Sequence, residues 1–169
     1  APLIGQRLGE LFLKVKEDGH EVGLHGWDHR LWQDRLLELP REIIEKQLQQ
    51  AVEAHERILG EPPRSFAAPG WAVDTCSLRE LERYSFLYTS STRFGKPFYP
   101  IVDGKALSTL EIPSTVLCPE EIIVTSKSKN LFPQDVSGEE IMVYPAHAEM
   151  EGGDLLDDFR EWIRSSLSR

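Results

Sequence analysis

A chain of 169 residues with 40% hydrophobic and 28% charged residues has the length and composition of one ordinary globular domain, and this excludes a disordered or membrane-spanning chain. A formal charge of −9 argues against a nucleic-acid partner bound through its phosphates, and no apolar run approaches the length of a spanning helix. Two cysteines, Cys76 and Cys118, are too few for a disulfide framework and are compatible with a reducing compartment. With no secretory leader visible, the expectation is a soluble, cytoplasmic single domain spanning 1–169.

Two hydrophobic periods alternate along the chain. Ile4, Leu8, Leu11, Phe12 and Val15 recur at helical spacing up to Asp18-Gly19 and predict an amphipathic helix near 5–18. Val22–Leu24 reads as a buried strand. Ile44, Leu48, Ala51, Val52, His55, Ile58 and Leu59 then form one stripe from about 40 to 59, opened by Pro40 and Glu42 and stopped by Gly60. Further on, 65–68 and 86–90 are strand-like, and Asp74 can cap a helix running to about Tyr84. Residues 93–135 are less regular and read as an insertion or hairpin region, with β-like runs at 109–112 and 121–125. Ile141–Pro145 is a last strand-like run, and a final helix through Leu155, Phe159, Trp162 and Ile163 follows an Asp154 cap. Strands and helices alternating over short connections predict an α/β fold with a mostly parallel sheet, either open or closed into a barrel.

Polar and aromatic residues collect just after the strands, where parallel α/β folds place ligands and catalytic groups. His25-Gly-Trp-Asp-His29 follows the first strand, Pro69-Gly70-Trp71 the second, Ser91-Thr-Arg93 the third, and His147-Ala-Glu149 the last. Two imidazoles four residues apart on a helical turn share one face and can both reach a divalent ion. The plainer reading of that pair is two surface or capping histidines on a loop. A zincin protease is excluded, because Gly26 stands where that motif needs its glutamate base. His55 belongs to a packing stripe, and His20 is given no role. Trp27, Trp32 and Trp71 are either core residues or faces for sugar rings. Glu149 and Glu151 either hold the tautomer of His147 or are solvated.

Taken in order, Glu21-Val-Gly-Leu-His25, Trp27-Asp-His29, Ala67-Ala-Pro-Gly-Trp71 and His147-Ala-Glu-Met-Glu-Gly152 resemble the polysaccharide deacetylase (NodB-homology) family. The likeness is greatest to its bacterial branch that deformylates a polyprenyl-phosphate-linked formamido-arabinose. The resemblance implies a distorted (β/α) barrel, a divalent metal such as zinc or another first-row ion, and hydrolysis of a carbohydrate N-acyl amide. It assigns His25 and His29 as metal ligands and His147 as the acid that protonates the leaving amine. Pro69, Gly70, Trp71, Arg93 and Glu149 would then bind the substrate.

The family's opening Asp-Asp or Asp-x-Asp motif is not found before His25, and Ala67 stands near the place of a common family arginine. The chain is therefore expected to begin part-way into the domain, without the first strand or strands. Its metal would be held loosely or not at all, with family chemistry impaired. A bare sheet edge would invite a second copy of the chain as partner. The stretch 93–99 is a candidate loop for peripheral contact with the inner membrane. The rival expectations are a non-catalytic module binding a sugar or lipid headgroup, and an N-deacetylase of chitin-like or peptidoglycan sugars.

Overall fold

The computed structural model describes residues 4–125, 131–133 and 141–167. The chain packs as two compact units, Ala1–Pro113 and Ser114–Arg169.

The first unit is built on a parallel sheet. Strands β1 (Ser65–Phe66), β2 (Tyr88–Thr89) and β5 (Leu110–Glu111) lie in that order, with Phe66 level with Thr89 and Thr89 level with Glu111. Leu24 adds a parallel bridge to Phe66 on the other side, donating its N–H to the Ser65 carbonyl at 3.0 Å. Parallel neighbours need crossovers. Helices α3 (His29–Arg35) and α4 (Arg41–Leu59) lie between Leu24 and β1, and α5 (Thr75–Leu81) lies between β1 and β2. The connection from β2 to β5 instead carries a hairpin, β3 (Ile101–Val102) with β4 (Lys105–Ala106). Its Asp103-Gly104 turn has both residues at positive φ, the geometry that matches strand twist in a two-residue hairpin.

The long helix follows its pattern closely. Ile44, Leu48, Ala51, His55 and Leu59 of α4 are buried, as the stripe predicts, and Gly60 ends the helix in the left-handed conformation. With Leu24, Trp32, Leu36, Phe66, Ala68, Leu81 and Phe86, the α4 residues Ile44, Leu48 and Ala51 form one core. Trp32, Ile44 and Leu48 are fully buried, each stabilising the fold by roughly 1.5–3 kcal/mol. His55 does more than pack. Its Nδ1 faces the Glu61 carbonyl at 3.0 Å and its Nε2 the Val22 carbonyl at 2.8 Å, tying α4 to the segment that leads into Leu24. Helix α5 starts at a full capping box, in which Asp74 accepts from the Ser77 N–H and Ser77 Oγ accepts from the Asp74 N–H.

The N-terminal helical region departs from expectation. It is two helices, α1 (Ile4–Arg7) and α2 (Gly9–Glu17), and Ile4, Leu8 and Leu11 are exposed. The face turned inward carries Gly5, Gly9, Phe12 and Val15. A Cβ on Gly5 would lie 2.6 Å from Ile58 Cδ1, so the absence of side chains on the glycines lets α4 approach where larger residues could not.

In the second unit, the expected β-like run at 121–125 is part of helix α6 (Pro119–Thr125). Proline at the first helical position favours this outcome, with Glu120 and Glu121 in the first turn. The Glu121 carboxylate also accepts the Cys118 N–H at 2.9 Å, one arm of a capping box. The expected strand at 141–145 is not a strand either. Val143 takes the Thr115 N–H on its carbonyl at 3.0 Å, but its own N–H goes to the Thr115 hydroxyl, and Pro145 has no N–H to offer. A π-helical turn, Met150–Asp154, takes the place of the Asp154 cap and leads into α7 (Leu156–Leu167). Phe132, Tyr144, Phe159 and Trp162 pack ring against ring, with Tyr144 and Trp162 centroids 4.8 Å apart. Of the 93–135 region, 126–130 and 134–135 lie outside the described residues.

Candidate functional site

His25 and His29 do not share a helical turn. Asp28 caps α3 by accepting the Leu31 N–H at 3.0 Å, so His29 is the first residue of the helix and His25 precedes it. Between them the backbone reverses at Gly26, where φ is +76° and a Cβ would lie 3.1 Å from Pro69. That turn brings the two rings together, with centroids 5.0 Å apart and planes at 59°. His25 Nδ1 sits 2.8 Å from the Ala67 carbonyl. A carbonyl accepts only, so Nδ1 carries the hydrogen and Nε2 keeps the lone pair that a metal needs.

Ala67 opens the second element of the site. The Ala68 N–H donates to Ser91 Oγ at 3.1 Å, and the chain then turns sharply through Pro69, Gly70 and Trp71. Gly70 has φ +60°, and a Cβ there would meet Gln33 Cγ of α3 at 2.6 Å. Trp71 is also left-handed at φ +53°, a strained conformation of the kind held at ligand sites. Next to this turn, the Arg93 guanidinium lies 4.5 Å from the Trp71 ring centroid and 4.7 Å from that of Phe94. These stacks fix a cation beside an indole face. His25, His29, the Pro69–Trp71 turn and Arg93 all belong to the first unit.

Sequence reasoning missed Glu111. It is 1% exposed at the end of β5, and its carboxylate accepts three hydrogen bonds. Thr89 Oγ1 donates to Oε2 at 2.6 Å, while Ser91 N–H and Thr92 Oγ1 donate to Oε1, both at 2.7 Å. Ser91 therefore links Glu111 to the backbone just before the Pro69–Trp71 turn. The only sequence signal was an acidic residue inside the β-like run 109–112.

His147 and Glu149 lie in the second unit. Glu151, 2% exposed, accepts the His147 backbone N–H at 2.9 Å and the Tyr144 hydroxyl at 2.6 Å, and so fixes the loop between them. Burial, followed by the bond to Glu151, pushes the Tyr144 phenol far above its usual range. Glu151 thus holds the backbone of His147 and not its ring. The ring Nδ1 instead lies 3.3 Å from Glu120 Oε1, and Glu149 is exposed. Cys118, Glu120 and His147 bring a sulfur, an oxygen and a nitrogen within 4.8 Å of one another. Burial pushes the Cys118 thiol up to about 12.

The donor chemistry of His25 and His29 fits two ligands of a divalent ion: two imidazoles in contact, one with its coordinating nitrogen set by a carbonyl. Among the described residues no third histidine, cysteine or carboxylate joins them.

The polysaccharide deacetylase profile matches residues 4–88, half of the chain. The chain is similar to "Probable 4-deoxy-4-formamido-L-arabinose-phosphoundecaprenol deformylase ArnD" of Wigglesworthia glossinidia brevipalpis, 30% identical over 97% of this chain and 60% of that protein. The protein of the same name from Shewanella sediminis (strain HAW-EB3) is 26% identical over 96% of this chain and 53% of its own length. The chain thus spans little more than half the length of these relatives. A solved structure, "Crystal structure of putative polysaccharide deacetylase from Mycobacterium smegmatis", shares the fold with a TM-score of 0.56 at 23% identity. It covers 93% of this chain and 51% of that one. The parallel sheet with its helical crossovers is accordingly the α/β fold of that type, and the chain belongs to the polysaccharide deacetylase family.

Proposed function

We propose that this chain carries the metal-binding and substrate-binding elements of a hydrolase that removes the formyl or acetyl group from an amino sugar. The observation that carries this reading is the His25–His29 pair, with its rings 5.0 Å apart and His25 Nδ1 committed to a backbone carbonyl, in a member of this family. A divalent ion held by these two imidazoles supplies, when bound, polarisation of the acyl oxygen and a more acidic water. The residues of the chain orient the rest. The Trp71 face, with Arg93 stacked beside it, suits a sugar ring bearing an anionic substituent. His147 takes the role of proton donor to the departing amine as the water oxygen bonds to the acyl carbon and the C–N bond breaks. A polyprenyl-phosphate-linked formamido-arabinose, the substrate in the relatives' names, fits this chemistry. Phe94, Phe98, Tyr99 and Ile101 are exposed together near Arg93 in the chain and support peripheral contact with a membrane by that loop.

A catalytic metal is ordinarily held by three protein ligands, so two imidazoles by themselves would hold the ion loosely. The Trp71–Arg93 stack, which needs no metal, favours as second reading a module that binds the sugar without hydrolysing it. The test is release of formate from an N-formyl amino sugar, and of acetate from its N-acetyl counterpart, with added divalent metal. Formate release that chelator abolishes, and that His25→Ala with His29→Ala abolishes as well, is the expected result. Release undiminished in the double variant overturns the reading. Sugar binding unaffected by chelator, with no acyl release, establishes the binding module instead.

A further inference from the structure

The second unit gathers two side chains that the family reading does not use, Cys118 and Glu120, around one that it does, His147. Cys118 and Glu120 stand at the start of α6, and His147 comes from the segment after Pro145. Cys118 is 2% exposed. Glu120 Oε2 and His147 Nδ1 are both shut off from solvent, and neither has a hydrogen-bond partner among the described residues. The ion-pair distance of 3.3 Å between His147 Nδ1 and Glu120 Oε1 therefore lacks hydrogen-bond geometry. A carboxylate and an imidazole nitrogen buried side by side without a hydrogen bond are costly, and a shared cation relieves that cost.

The spacing suits a metal. Two ligands held 2.0–2.1 Å from a tetrahedral ion stand about 3.3 Å from each other, which is the Glu120–His147 separation. The sulfur completes three ligands with all atoms within 4.8 Å, close enough for side-chain rotation to gather them. The anchors of the site are in place before any ion arrives. Glu151 fixes the His147 backbone, and Glu121 accepts both the Cys118 N–H at 2.9 Å and its Sγ–H at 3.2 Å. The Glu120 and His147 side chains are 38% and 40% exposed, so an ion can reach the buried atoms from solvent.

We propose that Cys118, Glu120 and His147, all of the second unit, form a binding site for a borderline-soft divalent cation, zinc by preference. A thiolate, an imidazole and a carboxylate are the donor set for zinc, whereas an all-oxygen site would select magnesium or calcium. As the S–metal bond forms, the Sγ–H bond breaks, and its proton leaves to solvent by way of the Glu121 carboxylate that now accepts it. His147 Nδ1 binds through its lone pair, leaving the hydrogen on Nε2. An imidazole so bound cannot exist as imidazolium, so occupancy of this site withdraws His147 from proton donation.

The test is titration of the full chain with Co²⁺, followed by displacement with Zn²⁺. Thiolate ligation gives a near-ultraviolet sulfur-to-cobalt charge-transfer band that histidines alone cannot produce. The band is expected at one equivalent, unchanged in Cys76→Ser and in the His25→Ala, His29→Ala double variant. It should be lost in Cys118→Ser, whose circular dichroism confirms folding, and Zn²⁺ affinity there should fall at least about 10–100-fold. Absence of the band in the native chain, or its persistence in Cys118→Ser, overturns the proposal. Formate release is a different readout from the cobalt band, so failure of this proposal and failure of the family reading are distinguishable.

Discussion

Replacing Glu111 by leucine removes the acceptor for three donors at once. The Ser91 N–H cannot rotate away, and a buried amide left without a partner costs about 1–3 kcal/mol. The Thr89 hydroxyl is buried too and adds about 1–2 kcal/mol, while the half-buried Thr92 hydroxyl can turn to water. Relief of the buried charge offsets part of this. The net expectation is a loss below that sum, about 1–4 kcal/mol, read as a urea midpoint lowered by about 0.5–2 M. Glu111→Gln keeps an oxygen for Ser91 and Thr92 and offers an amide to a rotated Thr89 hydroxyl, so it should cost only about 1–2 kcal/mol. Leucine within about 0.5 kcal/mol of the native chain would refute the reasoning. Equal losses in both variants would show that the charge, and not the donor geometry, holds the strand ends.

Glu80 sets a pH dependence. Its carboxylate is 3% exposed, and burial alone would raise its pKa. Bonds from Arg83 and Arg41, both 2.6 Å, outweigh burial and hold it below the usual glutamate value. A depressed folded pKa contributes stability above the unfolded value of about 4.3, lost as pH falls through the folded one. The stability gap between the native chain and Glu80→Gln should therefore be flat from neutral pH to about 5 and shrink below about 4, as measured by denaturant unfolding at each pH. A gap unchanged in acid would contradict the assignment. Ile44→Ala empties a fully buried position on α4 and should cost about 2–5 kcal/mol in the same assay; a loss below about 1 kcal/mol would mean that the core closes over the gap.

What could be read in advance was whatever local periodicity and capping decide. The α4 stripe, the Asp74 cap and the strand positions at 65, 88 and 110 follow from spacing alone. Where expectation failed, a particular interaction outweighed the pattern. Leucines near the N-terminus promised a buried face, but the glycines between them permit the closer approach to Ile58. The apolar 121–125 run is short enough to suit strand or helix, and Pro119 with Glu121 decides for helix. The histidine spacing pointed to two rings that do meet, for an incomplete reason, since the Gly26 turn and the Ala67 carbonyl orient them, not a common helix. Cys118 and Glu120 carried no signal, because their partner His147 is far downstream and only the fold joins them.

Strands of two residues make few ladder bonds, yet the loops beyond them hold rings and guanidinium in fixed contact. Side chains continue the ladder where backbone pairing stops. His25 bonds to the carbonyl of Ala67, Ala68 to the hydroxyl of Ser91, and Ser91 to the carboxylate of Glu111, crossing the sheet from its first bridge to β5. Each link pairs a side chain with a backbone group, so it fixes a loop's direction more tightly than a side-chain pair of equal strength. Disturbing Ser91 or Glu111 should therefore be felt at His25, across the sheet, before the hydrophobic core beneath registers it.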